Sequence, residues 1–249
     1  EGVAAARRAR VRLEVAEVPE EDGLADARLR APLALFRDLY AGVDGSGTSH
    51  RARAALTATA AAAAPGERKT ATDSSSLTYG EVEFVSFQAL LALASPRSGE
   101  VFCDLGSGTG KALVIAATVC DFKQCIGIEL LTDLHLLALQ TVEKLASLEE
   151  WQACASTINL LQGDMLDLDW SHADIVYTSS ICFVEDLMQG VSHKARKLKP
   201  GSRFITLKLL PETGGYFEIT AQDVFKMTWG RINVYILQRT KHNYPYIPP

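Results

Sequence analysis

The sequence predicts an α/β protein. We expect a doubly wound, mostly parallel sheet of seven strands that ends in an antiparallel C-terminal hairpin, preceded by a largely helical or irregular extension. Three observations carry this. The apolar run Val101-Phe102-Cys103 leads into Asp104-Leu-Gly-Ser-Gly-Thr-Gly110 and then Lys111-Ala-Leu-Val-Ile-Ala-Ala, which reads as a buried strand, a glycine-rich turn and the opening of a helix. From Leu77 onward, short apolar runs alternate with stretches of helical periodicity, the pattern of a parallel sheet with helices on its faces. The last β-rich segments follow one another with only a turn between them.

Taken in order, residues 1–76 read as an extension and linker, and 77–249 as the folded domain. Arg7, Arg8, Arg10 and Arg12 form a basic cluster followed by Glu20-Glu21-Asp22; it is read as solvated charge, with weak contact to nucleic-acid phosphates as its functional alternative. Leu33, Leu35, Phe36, Leu39 and Tyr40 mark a short amphipathic helix with Pro32 in its first turn. Gly45-Ser-Gly-Thr-Ser, the alanines 60–64, Pro65-Gly66 and the polar stretch 70–76 follow. Alanine favours helix but has little surface to bury, so this tract is not expected to anchor anything.

In the domain, Phe84, Phe87, Gln88, Leu91 and Ala94 share one helical face before Pro96. Strand 101–105, helix 111–119 and strand 124–129 come next, then a longer helix lined by Leu134, Leu137, Ala138, Thr141, Leu145 and Leu148. Runs 158–162 and 174–178 suit strands buried on both faces. A helix after Glu185 turns Leu187, Val191, Ala195 and Leu198 inward, and its basic last turns suit the negative end of the helix dipole before Pro200-Gly201. Segment 203–207 is a fifth strand. Segments 218–220, 224–229 and 233–239 are β-rich, with Gly230-Arg231 as a turn.

The chain has 249 residues, 47% of them hydrophobic, and no apolar run approaches the roughly 18–20 residues of a membrane helix, so no membrane partner is expected. Residues 1–76 balance 11 basic against 11 acidic side chains, so the net charge of −5 falls entirely on 77–249. An acidic domain argues against a broad basic face for nonspecific polyanion binding. Five cysteines without a Cys-x-x-Cys pair read as reduced thiols of an intracellular protein, and the scattered histidines lack ligand spacing, so no metal is expected. The first residue is Glu rather than Met, which reads as a fragment whose targeting signals can have been removed.

The chemistry is expected beyond the carboxyl ends of the strands. Gly106, Gly108 and Gly110 let a ligand lie against bare peptide, with Ser107 between them. A dinucleotide fingerprint is Gly-x-Gly-x-x-Gly and holds a pyrophosphate at the helix start. Here the third glycine comes one residue early, Lys111 stands in its place, and Asp104 would repel a pyrophosphate. A carboxylate there suits a cationic head, such as the methionine end of S-adenosylmethionine. Glu129 closes the second strand and can accept both ribose hydroxyls. Gly163-Asp164-Met165 closes the third: the carboxylate can accept an adenine amino group and the methionine can pack on the ring, although Gly-Asp also suits a plain turn. This acid-turn-helix-strand-acid series predicts a class I methyltransferase, with other nucleotide-binding folds as the alternative. The fourth strand ends in Thr178-Ser179-Ser180-Ile181-Cys182-Phe183, which lacks the Asp/Asn-Pro-Pro-aromatic run of enzymes that methylate base amino groups. Cys182 has no preceding proline and reads as packing rather than as a nucleophile.

One further segment, Thr78-Tyr79-Gly80-Glu81, is specific in this company. The chain resembles the disruptor-of-telomeric-silencing family, the non-SET histone lysine methyltransferases, over roughly residues 77–240. The resemblance rests on Tyr79-Gly80-Glu81 with Phe84, the Asp104–Gly110 loop, Gly127-Ile-Glu129, Gly163-Asp164, the Phe183 segment, Lys208-Leu-Leu-Pro211, and Thr228-Trp229 leading to Val234-Tyr235 and Arg239-Thr240. It implies that residues 78–81 close over the methionine end of the cofactor. Asp104, Gly106 and Lys111 (Gln in animal members) would line it, Glu129 would hold the ribose, and Asp164 and Met165 the adenine, with Met replacing a usual Phe. Phe183, Trp229 and Tyr235 would wall an apolar lysine channel. Ser179 and Ser180 replace an Asn-Asn pair; a serine hydroxyl can still bond the cofactor carboxylate or a lysine amine, with shorter reach.

The resemblance implies S-adenosylmethionine as cofactor, a histone lysine in the nucleosome as substrate and, in a eukaryote, a nuclear location. Two alternatives stand beside it: a class I methyltransferase acting on a non-histone protein or small molecule, and a noncatalytic scaffold of the same fold. Nothing in the sequence fixes the oligomeric state.

Overall fold

In the computed structural model, residues 26–62, 80–227 and 230–241 are described, with side chains from 26–55 in the first span. The arginine cluster 7–12, the linker 70–76, Thr78, Tyr79 and Trp229 lie outside the described residues.

The seven strands are β1 Val101–Leu105, β2 Gln124–Glu129, β3 Ile158–Gln162, β4 Ile175–Thr178, β5 Arg203–Thr206, β6 Phe217–Met227 and β7 Gly230–Arg239. They form one sheet in the order β3-β2-β1-β4-β5-β7-β6. β1 to β5 pair in parallel and β7 runs antiparallel to both β5 and β6, as the sequence predicts. Strand order reverses between β1 and β4, so the switch point where such sheets bind ligands lies over the end of β1.

The helices are α1 Arg30–Tyr40, α2 Gly45–Ala62, α3 Phe84–Leu93, α4 Lys111–Val119, α5 Thr132–Ala146, α6 Gln152–Thr157 and α7 Glu185–Ala195. The sheet separates two apolar cores. On one face Phe84, Phe87, Leu90 and Leu91 of α3 and Leu113 and Ile115 of α4 pack on Phe102, Cys125, Tyr177, Ile205 and Ile236. On the other, Met188, Val191 and Ala195 of α7 meet Cys103, Leu105, Ile126, Val176, Phe204 and Leu237, with Trp170 beneath. The central strands are buried on both faces because helices or their connections cover each side. β3, expected to be buried likewise, is only half-buried because it is the sheet edge.

The N-terminal part departs most from expectation. Residues 30–55 do not lie apart from the domain. Leu35, Leu39 and Tyr40 of α1 pack on Val114 of α4, Leu145 of α5 and Ala155 of α6, Leu33 joins the core under α3, and Ala52 of α2 packs on Leu131 and Leu134. Gly45-Ser-Gly-Thr-Ser, part of the expected extension, opens α2. The reason is local: Asp44 accepts the Gly47 N–H at 2.8 Å, and a Cβ on Gly47 would lie 2.1 Å from the Asp44 carboxylate. At the hairpin, Gly230 and Arg231 are not a turn. They already pair with Met227 and Lys226.

The basic residues at the end of α7 do more than complement its dipole. Lys194 donates to the Leu166 carbonyl at 2.8 Å, Arg196 to the Glu212 carbonyl at 2.8 Å, and Lys199 pairs with Asp174 at 2.6 Å. No described helix is long and apolar enough to cross a membrane.

Candidate active site

β1 delivers Asp104 to the switch point, and the chain then turns through Gly106, Gly108 and Gly110 with φ of +85°, +53° and +82°. An L side chain is strained at each, which is why glycine alternates here. The N–H groups of Gly106 and Ser107 both donate to the Ile128 carbonyl, at 2.8 and 3.0 Å, and lock the loop to β2. The Ser107 side chain points beneath the loop, where a Cβ on Gly127 would lie 2.8 Å from its hydroxyl oxygen. A side chain at position 127 would force Ser107 and Leu113 beneath the loop to shift.

Glu129 is 7% exposed, and each of its oxygens holds one backbone N–H: Oε2 that of Gly108 at 2.7 Å and Oε1 that of Leu131 at 2.8 Å. The carboxylate is thus fixed edge-on, and each oxygen keeps acceptor capacity for the paired hydroxyls of a ribose. Burial pushes its pKa up against the opposing pull of those N–H groups.

Asp104 is 3% exposed, and its Oδ1 has no hydrogen-bond partner among the described residues. Burial, and then the Glu129 charge, push its pKa up to about 8. Two buried acids at one strand edge, one with an open oxygen, form a site that a cation stabilises. The nearby lysine does not supply that cation internally. Lys111 pairs with Glu81 at 2.5 Å, both side chains largely buried, and lies 5.1 Å from the Tyr40 ring centroid. That pair ties the segment before α3 to the first residue of α4. Tyr40, from the N-terminal helix, also donates its hydroxyl to the Thr109 carbonyl at 3.2 Å. Sequence reasoning marked α1 as amphipathic but could not show that it buttresses the glycine loop.

At the end of β3, Asp164 Oδ1 accepts the Leu166 N–H at 2.7 Å, so the turn role is present and one oxygen is engaged in it. Met165 reaches over the loop, its Cε 3.9 Å from where a Gly106 Cβ would sit. The acids, the left-handed glycines and Met165 thus come together at one edge and suit an adenosyl ligand with a cationic tail.

The β4 end is built differently. Thr178 donates to the Leu105 carbonyl at 3.0 Å. Ser180, grouped by the sequence reading with the reacting and cofactor-binding residues, is fully buried and its hydroxyl is saturated. It accepts the N–H groups of Leu207 and Lys208 at 3.2 and 3.0 Å. Thr206 donates its own proton to the Lys208 carbonyl at 2.6 Å, so the 2.8 Å contact between the two hydroxyls is donated by Ser180. One donor and two lone pairs are all in use, and Ser180 fastens the end of β5 rather than facing a ligand. Ser179 stays half-buried at the rim. Phe183 packs against the α7-side core, and its carbonyl accepts Lys208 Nζ at 2.9 Å. Tyr235 pairs with Thr206, the last residue of β5, and shares the sheet face of Leu237. Phe183 and Tyr235 therefore reach the same side of the carboxyl edge.

Comparison with known proteins gives this geometry a context. Residues 61–241 match the model of a family described as histone methylation protein DOT1. Over 139 residues, 53% of this chain, the sequence is 30% identical to a Dictyostelium discoideum histone-lysine N-methyltransferase specific for H3 lysine 79, of which it covers 8%. It is 24% identical over 144 residues to a protein-lysine N-methyltransferase of the archaeon Saccharolobus islandicus, covering 58% of this chain and 81% of that protein. Among solved structures, it is similar to an RNA methyltransferase from Salinibacter ruber bound to S-adenosyl-L-homocysteine, with TM-score 0.50 and 21% identity over 66% of this chain and 95% of the other. It is also similar to TrmN from Thermus thermophilus, with TM-score 0.51 and 22% identity over 63% and 48%. Both carry the class I Rossmann-like fold.

Proposed function

The chain belongs to the family of the histone methylation protein DOT1, and from that membership we propose that it is an S-adenosylmethionine-dependent protein-lysine N-methyltransferase that modifies a histone lysine in the nucleosome, in the nucleus of a eukaryotic cell. The observation that carries the cofactor part is the open oxygen of buried Asp104 beside Glu129 at the switch point. That pair fits a ligand with a ribose and a positive tail. Asp104 takes the ammonium of the methionine end, Glu129 the ribose hydroxyls, and Asp164 and Met165 the adenine. When bound, the cofactor supplies an electrophilic methyl group on a sulfonium.

The protein's own part is positioning. Lys111–Glu81 holds the segment before α3 against the glycine loop. Phe183 and Tyr235 provide apolar walls that accept a lysine stem and disfavour its charged form, and the family resemblance adds Trp229 to their role. Lysine begins near pKa of about 10.4, and desolvation lowers this so the amine can attack in line. Water carries the proton away without a dedicated base.

A second reading has its own support. The chain spans 8% of the Dictyostelium enzyme but 81% of the archaeal protein-lysine methyltransferase. That relative is named for a protein lysine without a histone specified, which supports a non-histone protein as the alternative acceptor. Transfer of labelled methyl to intact nucleosomes, free histones and unrelated proteins, followed by mass spectrometry, separates the two. Modified lysine found mainly in nucleosomal histone supports the first reading. Equal labelling of unrelated proteins supports the second, and methyl on nucleic acid or a small metabolite with no modified lysine overturns both.

A further inference from the structure

Tyr177 is the residue of the switch point that the site so far leaves without a use. It stands on β4 directly beside Asp104 of β1, at the matching position of the adjacent parallel strand. Side chains at matched positions in neighbouring strands lie on the same sheet face about 5 Å apart. Its ring is fully engaged: it meets Phe87 edge-on at 4.8 Å between centroids and is 2% exposed. Phenylalanine would do all of that packing. The hydroxyl, by contrast, is buried without a hydrogen-bond partner. Ser179 at the rim lies close to it and acts, against the effect of burial, as a donor toward the phenol oxygen, so the phenol's own proton is left without an acceptor. Burial and the Asp104 charge push the phenol well above its usual pKa, so it remains protonated and is a donor.

An unmet buried hydroxyl is a cost to the free protein that a bonded one does not carry. Its neighbour Asp104 also has an open oxygen. One group wants an acceptor and the other wants a cation, side by side, at the edge where ligands enter. An α-amino acid presents both: a carboxylate and an ammonium on one carbon. We infer that Tyr177 is a cofactor-binding residue whose hydroxyl donates a hydrogen bond to the α-carboxylate of S-adenosylmethionine, while Asp104 takes the α-ammonium. The inference rests on the cofactor assignment above and adds to it the residue that reads the carboxylate.

The test pairs Tyr177→Phe with two ligands, S-adenosylmethionine and its decarboxylated analogue, by calorimetry. The variant keeps the ring against Phe87 and removes a buried unmet hydroxyl, so the unliganded protein should melt at the same temperature or higher. Its Kd for S-adenosylmethionine should rise about tenfold, the loss of one hydrogen bond to a charged group. Its Kd for the decarboxylated analogue should match that of the unaltered protein. If the variant binds S-adenosylmethionine unchanged, the hydroxyl is not a ligand group and the inference fails. If it loses affinity equally for both ligands, Tyr177 acts through Asp104 and the carboxylate assignment fails. If the unaltered protein binds neither ligand, the cofactor reading itself fails, a result distinct from the other two.

Discussion

The two halves of the carboxyl edge treat their polar groups in opposite ways. Over β1 and β2, buried acids are held rigid but left open: Glu129 is fixed by two backbone N–H groups, and Asp104 keeps an oxygen without a partner. Beyond Tyr177, whose open hydroxyl belongs with Asp104 beside it, the ends of β4 and β5 are closed: the buried hydroxyl of Ser180 is filled by the chain's own groups. A buried polar atom left open is costly in the free protein, so it persists where a ligand completes it. A saturated one serves the fold. The first half is thus organised for a ligand, and the second is a frame whose reacting surface falls to aromatic side chains.

Substitutions should therefore separate stability from binding. The largest effect is expected from Ser180→Ala, which leaves the buried N–H groups of Leu207 and Lys208 without an acceptor. It should lower folding stability by about 2–3 kcal/mol in urea titrations, with cofactor affinity within about threefold. A full loss of cofactor binding in a well-folded Ser180→Ala protein would break the comparison. Asp104→Asn should do the reverse. Its Kd for S-adenosylmethionine should rise about thirtyfold, roughly 2 kcal/mol, while the free protein becomes more stable.

The size of that stability change depends on pH. The Asp104 carboxyl titrates near 8 in the folded chain and near about 3.9 when unfolded. The folded state holds the proton more tightly, so this contribution is complete below the unfolded value and is lost as pH rises through the folded one. The advantage of Asp104→Asn should accordingly widen from acid toward pH 8, as thermal melts at a series of pH values would record.

Smaller effects probe the frame. Tyr235→Ala should reduce kcat/KM for the protein acceptor about tenfold, with cofactor affinity nearly unchanged, because it removes an apolar wall rather than a cofactor contact. Tyr40→Phe removes the hydroxyl that reaches the Thr109 carbonyl and should cost about 0.5–1 kcal/mol of stability in the same urea titrations. That result would measure how far the N-terminal helix supports the glycine loop.

The comparison also explains what could be read from the chain alone. Asp104, the alternating glycines and Glu129 were legible because strand, turn and helix start are contiguous, and the backbone needs of that turn are written in local residues. The mostly parallel sheet with its antiparallel end followed from the alternation of runs. The fastening role of Ser180 is not legible because its three partners come from residues 206–208, brought beside it by β5. Tyr177 looked like one more apolar strand residue, and only the strand register sets it beside Asp104. Tyr40 carried no sign of its target 69 residues away. The helix start at the glycines of α2 is not legible in those glycines themselves because it depends on the Asp44 side chain folded over Gly47. Local chemistry was readable, and contacts between distant segments were not.

The most direct measurement counts protons during binding. If the open Asp104 oxygen awaits a cation, the carboxyl that is protonated below about pH 8 in the free protein must ionise as the ligand arrives. Calorimetric titration at pH 7 in two buffers of different ionisation enthalpy should show S-adenosylmethionine releasing close to one proton per site, by an order-of-magnitude linkage estimate. Affinity should climb as pH rises toward 8. Adenosine, which has the ribose and base without the ammonium, should release none, and Asp104→Asn should abolish the release. Binding of S-adenosylmethionine with full affinity, no proton release and no dependence on pH would contradict the assignment of this edge to a cationic cofactor.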